Sequence, residues 1–384
     1  MKLRVERGVL AEAVGWAARA LPARPVVPIL AGLLLEASDE GGAITLSCFD
    51  YEVSARVSVS ADVGEPGSAL VPGRLLADIT RSLPDRPVEI AGDASAGALG
   101  LTCGSAEFTL VTFPAGDYPA LPQRLPPAGT VDGGALAAAV AQVAPAAGRD
   151  DTLPMLTGVF MEIDGETITL AATDRYRLAV RELRWRPARP GVRASALVPA
   201  RTLADAAKTM TPGTEVAIAL ADAGETGTED RAGKQTGQGM IGFEGGGRRL
   251  TTRLLGSEFI PYRSRFPGEP TARATVRPRP FAEAVRRVSL VADRQSRLLL
   301  TFGRGHVVIE AGSGDGARAV EEDEAQFDGN DGLAIGFNPH YLLDGITAAG
   351  AEGAGAVTLE FTTPAKPAVI SGSGFRYLLA PMRR

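Results

Sequence analysis

LVPGRLLAD, residues 70–78, decides how the chain is to be read, because it is written again as LVPARTLAD at 197–205 and more loosely as GFNPHYLLD at 336–344. Each copy runs from an apolar strand end through a proline into a helix. In the first, Leu76, Ile79 and Leu83 recur at i, i+3 and i+7 on one helix face, and the proline stands where a first turn tolerates a missing N–H. The opposite face carries cations. Arg74 and Arg81 lie seven residues apart, about two turns, so they project from one side, away from the leucines. Arg201 and Lys208 stand at the same offset in the second copy. One such face is ordinary solvated charge; two with cations in the same place point to a shared surface for a polyanion.

The flanking segments repeat at nearly the same spacing. A helix with Val9, Leu10, Val14 and Ala17 on one face is matched by Leu136 and Val140, with Leu136 lying 126 residues after Leu10, and again by Phe281 and Val285. PILAGL at 28–33, followed by Glu36, returns 126 residues on as PMLTGV with Glu162; CFDY at 48–51 returns after 124 as ATDR, and Val71-Pro72 after 127 as Val198-Pro199. Four segments in such agreement are a duplication. A third copy keeps the order: a helix at Phe281, a helix at Tyr341, and a closing strand FRYLL at 375–379, which aligns with FTLVT at 108–112 and TTRLL at 251–255. Solenoid repeats are about 20 to 50 residues long, so these larger units are duplicated domains. Their limits fall in proline-rich connections near Pro126 and Thr271, giving domains 1–126, 127–270 and 271–384. Each has two helices leading into short strands, an α+β arrangement in which each domain is itself a doubled helix-plus-sheet motif.

Composition narrows the class. The 384 residues include 40 basic and 45 acidic side chains, a net charge of −5, which argues against a chain coated in positive charge but leaves room for a local basic surface. Two cysteines, Cys48 and Cys103, are too few for a disulfide framework; they read as small core residues and point to a reducing cytoplasm. The N-terminal MKLRVERGVL has no signal-peptide pattern, and the longest apolar stretch, 26–35, is broken by Pro28 and is about half of a membrane span. The expectation is a soluble protein with no membrane partner.

Motifs of catalysis are missing from the sequence. The two histidines, His306 and His340, have no cysteine at metal-ligand spacing, and no Walker loop, GxSxG elbow or HExxH occurs. Gly245-Gly246-Gly247 reads as a strand connection, and Asp150-Asp151 as a turn. A site built of carboxylates alone stays open, although nothing places two of them at a defined spacing in a repeated context. Residues 221–240 read as a flexible hairpin tip and 321–331 as a solvated acidic stretch, both outside the repeat pattern. What repeats is structural, the pattern of a scaffold or binding protein with no cofactor.

The tripled domain, VPxRxLxD in two copies, ATDRYRLAV at 172–180, FNPHYL at 337–342 and YLLAPMR at 377–383 resemble the bacterial DNA polymerase III beta subunit, the sliding clamp, and its actinobacterial members in particular. The resemblance spans essentially the whole chain. It implies three similar domains per chain and a head-to-tail homodimer forming a ring, with helices lining the hole and antiparallel sheets outside. Basic helix faces inside would attract phosphate while an acidic exterior avoids DNA elsewhere. The function implied is topological and non-catalytic: a ring around duplex DNA that slides, tethering a polymerase by effective concentration through sequence-independent contacts. The implied partners are double-stranded DNA, a second copy, the polymerase III alpha subunit, the clamp loader, and repair and translesion polymerases carrying clamp-binding peptides. ATP would act on the loader.

Carried over by resemblance, the DNA-facing cations are Arg24, Arg74, Arg81, Arg201 and Arg294, with Arg149, Lys208 and Arg297 added from position. The ring would close through Phe108 and Leu110 against the region of Ser289 and Leu290. A partner-peptide pocket between the second and third domains would be built by Leu156, Thr173, Arg175, Tyr176, Arg177, Leu178, Ile260, Pro261, Arg265, Asn338, Tyr341, Pro367, Leu378, Ala380 and Met382. Three of these depart from the family pattern. Ile260 separates Phe259 from Pro261, Arg265 takes a usually apolar place, and Ala380 stands where a methionine commonly precedes the proline. Cyclic peptide antibiotics target this pocket in the family, so one alternative is an antibiotic-insensitive second clamp copy. Another is an adaptor that keeps the pocket without encircling DNA.

Overall fold

A β-α-β-β-β motif is used six times among the described residues, in a computed structural model that describes residues 1–39, 41–93, 97–221, 239–292, 296–312 and 316–382. The first is β1 (Lys2–Val5), α1 (Arg7–Ala17), β2 (Gly32–Ser38), β3 (Ala43–Phe49) and β4 (Val53–Ser60). After a short β5 (Asp62–Glu65), the second is β6 (Gly67–Pro72), α2 (Gly73–Ser82), β7 (Val88–Asp93), β8 (Ala98–Cys103) and β9 (Ala106–Val111). The third is β10 (Pro127–Asp132), α3 (Gly133–Val143), β11 (Gly158–Asp164), β12 (Thr167–Thr173) and β13 (Arg177–Arg184). Following β14 (Arg186–Pro187), the fourth is β15 (Arg193–Pro199), α4 (Ala200–Ala207), β16 (Glu215–Leu220), β17 (Met240–Gly245) and β18 (Arg248–Arg253). The fifth is β19 (Ala272–Val276), α5 (Pro278–Ser289), β20 (Leu298–Gly303), β21 (His306–Gly312) and β22 (Arg318–Asp328). The sixth is β23 (Leu333–Phe337), α6 (Pro339–Ala349), β24 (Val357–Phe361), β25 (Ala368–Gly372) and β26 (Phe375–Leu379). Each domain inferred from the repeats is therefore two motifs.

The chain falls into two compact units. The first, 1–134 with 186–189 and 208–254, holds a five-stranded sheet, β5-β1-β7-β8-β9, and a nine-stranded sheet, β14-β10-β16-β17-β18-β4-β3-β2-β6. Inside it α1 buries Leu10, Val14 and Ala17, and α2 buries Leu76 and Ile79, with Leu83 at its end. Arg7 donates to the Arg81 carbonyl at 2.6 Å, a cation on the last turn of α2 where the helix dipole favours it. The second unit, 135–185 with 190–207 and 255–384, holds one twelve-stranded sheet, β15-β11-β12-β13-β26-β25-β24-β19-β22-β21-β20-β23. Every ladder in both units is antiparallel among the described strands, and alternation decides what is buried: in β26, Phe375, Tyr377 and Leu379 are enclosed while Arg376 and Leu378 face the other way.

The glycine run at 245–247 closes the β17–β18 hairpin, with Gly246 and Gly247 at φ +58° and +74°, the left-handed pair that a two-residue turn requires. Asp150 accepts from the backbone N–H and hydroxyl of Thr152 at 3.0 and 2.6 Å and so makes the expected turn; those bonds hold its carboxyl below the usual range. Both cysteines are buried, and burial pushes the Cys48 thiol up to about 12.

Three expectations change. Residues 321–328 do follow the repeat, forming most of β22, and two of its carboxylates are paired: Glu321 holds Arg287 at 2.5 and 3.0 Å, and Glu324 holds Arg277 at 2.9 Å. Lys208 is not on the α4 face, because α4 ends at Ala207, ahead of Thr209, Pro212 and Gly213. Leu110 is 2% exposed within its own unit, so only the partly exposed Phe108 of that pair reaches the surface of β9, where Val111 is 77% exposed. Of the expected hairpin tip, 221–240, residues 222–238 lie outside the described residues, and Met240 begins β17. Among the described residues no helix is long and apolar enough to cross a membrane, and no group of three His, Cys, Asp or Glu is placed to hold a metal.

Candidate functional site

The β12–β13 connection builds the centre of the site. Asp174 accepts from the N–H groups of Tyr176 and Arg177 at 3.0 and 3.1 Å, an Asx turn. Thr173 donates its hydroxyl to the Arg177 carbonyl at 2.6 Å and accepts from the Arg175 N–H at 3.2 Å. These bonds hold Arg175 at φ +81°, a left-handed conformation costing a non-glycine residue about 1 kcal/mol or more. The turn throws Tyr176 outward, 57% exposed, where it stacks on Tyr341 with ring centroids 6.5 Å apart. Its carbonyl accepts from the Ala380 N–H at 2.9 Å, tying the loop to the end of β26.

Arg177 points the other way. Its side chain is 9% exposed and reaches Asp174 at 2.9 Å, Asp344 of α6 at 2.5 Å, the Tyr377 hydroxyl at 3.5 Å and the Pro145 carbonyl. Its guanidinium also lies 4.2 Å from the centre of the Tyr341 ring. Burial raises the Tyr377 phenol well above its ordinary range, so it stays protonated and donates to the Tyr341 carbonyl at 2.9 Å. One buried cation thus locks the loop, α6 and β26 together underneath the tyrosine stack.

The other expected residues fall into two sets. Leu178 is buried and Leu378 half-buried opposite it in the β13–β26 ladder; Ala380 and Met382 continue past the strand, and Pro367 precedes Ala368, which pairs with Leu379. Asn338 spends its side chain capping α6, accepting from His340 and Tyr341 N–H groups at 3.0 and 3.2 Å. Leu156 sits buried in the 3-10 turn Pro154–Leu156. Ile260, Pro261 and Arg265 belong to a segment laid over the sheet, anchored by buried Tyr262, which donates to Glu162 at 2.7 Å. Around it Phe160 stacks on Phe259 at 5.1 Å, and Phe266, Ile260 and Leu378 join the same apolar cluster with Leu178 and Val180. Sequence reasoning missed Phe160, Tyr262 and Phe266. The available signal was Phe160, an aromatic residue on the face of β11 opposite buried Val159 and Met161.

The first unit repeats this frame without the stack. Asp50 accepts from Glu52 and Val53 N–H groups at 3.0 and 2.7 Å, Tyr51 has φ +73°, and Arg253 N–H donates to the Glu52 carbonyl at 2.8 Å. Glu52 and Val53 stand where the other copy has Tyr176 and Arg177.

Of the expected DNA-facing cations, Arg24, Arg149 and Arg201 are exposed and have no ion-pair partner among the described residues. Arg74 is exposed but donates to the Leu21 and Pro22 carbonyls at 3.1 and 3.3 Å, and Arg81 lies 3.5 Å from Asp78. Lys208 is exposed, Arg297 is half-buried, and Arg294 lies outside the described residues. Ser289 ends α5 half-buried, and Leu290 beside it is 84% exposed.

Residues 1–122, 130–261 and 263–383 match, in turn, the N-terminal, central and C-terminal domains of the DNA polymerase III beta subunit. The chain is 53% identical over 392 residues to the beta sliding clamp of Streptomyces coelicolor, covering 100% of this chain and 99% of that one. It is 43% identical, with the same coverage, to the beta sliding clamp homolog GriR of Streptomyces muensis. A crystal structure of the sliding clamp from Pseudomonas aeruginosa bound to griselimycin is 26% identical and superposes with a TM-score of 0.87 over 100% of both chains. Built from three tandem clamp domains, the chain belongs to the DNA polymerase III beta subunit family, the bacterial sliding clamps.

Proposed function

We propose that two copies of this chain close a ring around duplex DNA and that the ring, itself non-catalytic, tethers the replicative polymerase and other partners through the site around Tyr176 and Tyr341. The observation that carries ring closure is the pairing of the motifs' last strands. β4, ending the first motif, pairs with β18, ending the fourth; β13, ending the third, pairs with β26, ending the sixth. That leaves β9 and β22. Among the described residues, only the β8 side of β9 is paired, and in β22 residues 318–324 pair with β21 while β19 takes only residues 325–328. Open antiparallel edges are templates for another strand, and β9 of one copy against β22 of the next repeats the rule already used twice. Exposed Val111, Val320 and Leu290 lie on or next to these two motif ends.

On this reading the three clamp domains run 1–126, 127–270 and 271–384, and Arg24, Arg74, Arg149 and Arg201 meet phosphate. The peptide site is carried by the buried Arg177 lock, which fixes an exposed tyrosine stack beside Leu378, Ala380 and Met382. Identity of 53% to the S. coelicolor clamp against 43% to GriR favours the replicative role over an antibiotic-insensitive copy. The test is retention on a nicked circular duplex, before and after linearisation, with solution mass measured in parallel. A dimer that is held on the circle and runs off the cut DNA supports encirclement. A monomer, or retention indifferent to cutting, overturns it and leaves the adaptor.

A further inference from the structure

Arg265, so far only a residue of the expected pocket, precedes Phe266 in the chain, and Arg376 lies over the Phe266 ring. Arg265 closes the 3-10 turn Tyr262–Arg265 and is exposed; Arg376, exposed on β26, places its guanidinium 4.1 Å from the centre of the Phe266 ring. Neither has a carboxylate partner among the described residues. Their neighbour Arg263 differs: it is committed to Glu162 at 2.6 Å and lies over Tyr262 at 5.0 Å. Phe266 is itself packed into the cluster with Leu178, Val180 and Leu378, so Arg376 stands on a fixed platform, with Arg265 next to Phe266 in the chain. Arg376 and Leu378 alternate onto one face of β26, and Ala380 is the next such position, just past the end of the strand. With a strand rise of about 3.4 Å per residue, Arg376 lies about 7 Å from Leu378 and about 14 Å from Ala380.

We propose that this arginine pair is a specificity element of the peptide site, selecting partner segments that carry a carboxylate two to four residues from their apolar anchor. The proposal rests on the peptide-site reading above. An extended peptide places side chains on one face about 7 Å apart, so an anchor seated at Leu378 and Ala380 brings such a residue over Phe266. There it meets one guanidinium already oriented on a ring and a second with no competing ion pair. Holding a cation in place beforehand spares the peptide the ordering that weakens exposed ion pairs.

The test uses the full-length protein and labelled synthetic peptides with a Leu-Phe anchor, carrying Glu or Gln two and four residues to either side, plus a peptide with the anchor replaced by Ala-Ala. At low salt the Glu form binds about fivefold tighter than the Gln form, and the ratio shrinks as salt is raised. In Arg265→Gln the ratio falls to about twofold, and in Arg265→Gln with Arg376→Gln it collapses to about one. Equal binding of Glu and Gln peptides by the parent protein overturns the proposal and leaves the peptide site standing. If no Leu-Phe peptide outcompetes the Ala-Ala peptide, the site reading and the proposal fall together. Displacement of the Glu peptide by oligo-dT assigns the pair to phosphate and overturns the carboxylate assignment.

Discussion

Replacing Arg177 by Ala removes the lock beneath the tyrosine stack, and its cost follows from who is left behind. Asp174 is 12% exposed, but its Oδ1 keeps two backbone donors, so only Oδ2 loses its guanidinium donor. Asp344 is 47% exposed and is rehydrated cheaply. The Pro145 carbonyl loses a donor, and the Tyr341 ring loses its cation. A charge-assisted bond to a buried carboxylate contributes about 1.5–3 kcal/mol and a neutral one about 1 kcal/mol. The sum is about 4 kcal/mol, within the 3–5 expected on breaking a buried pair. In a unit of this size that lowers the melting temperature by about 8–16 °C. Circular dichroism melting reads the shift, and binding of a Leu-Phe peptide weakens with it because Tyr341 is no longer braced. Arg177→Lys keeps the charge without the fork and falls between the two. Arg184→Ala is the control: that residue is 82% exposed, 3.7 Å from Glu166, and costs at most about 1 kcal/mol. Melting of Arg177→Ala within about 2 °C of the parent would refute the lock.

The remaining predictions are shorter. Leu290→Asp places charge on a residue 84% exposed in one chain and, at a cost of about 2 kcal/mol or more per interface, converts the dimer to monomer in analytical ultracentrifugation; an intact dimer removes Leu290 from ring closure. Arg24→Glu with Arg201→Glu removes four phosphate contacts from a ring of two chains and lowers the slope of log affinity for duplex fragments against log salt by about 4, and an unchanged slope places both off the DNA. Of six tyrosines, Tyr118, Tyr262, Tyr341 and Tyr377 have phenols raised above the ordinary range, burial being the leading cause in each. Their contribution to stability is whole below the unfolded value near 10 and is lost as pH rises through the folded values. In an alkaline titration their phenolate absorbance therefore appears together with loss of structure, and early, independent ionisation of all six contradicts it.

The triplication, the helix faces and the closing strand FRYLL were legible because they rest on local periodicity and on distances along the chain. The sheet pairings were not: β4 meets β18 across nearly the whole of two domains, and no local pattern says which edges join. The carry-over of Phe108 and Leu110 by resemblance met a related limit at β9. Phe108 and Leu110 share a face in any strand, but which face meets the core depends on β8, where Leu99 pairs with Leu110. Arg177 was placed in the site, yet its direction depended on Asp344 and Tyr377, far off in the chain. Lys208 misled because a seven-residue offset assumes the helix continues, and Thr209, Pro212 and Gly213 stop it.

The two copies of the Asx loop separate what holds the backbone from what makes a site. Tyr51 and Arg175 share a left-handed conformation that neither residue type favours, and in both loops the same aspartate oxygen and the same carbonyl-to-strand bond hold it there. Were the strain a device for binding, it would be needed only where a stack is presented. It is kept in the first unit, where Glu52 and Val53 follow and no stack forms. The strained turn is therefore what brings the end of β18, or of β26, against β4, or β13, and it belongs to the sheet pairing on which a ring depends. The site is a specialisation of two positions on that frame: one tyrosine turned out to stack on Tyr341, and one arginine turned in to fasten the loop to α6 and β26.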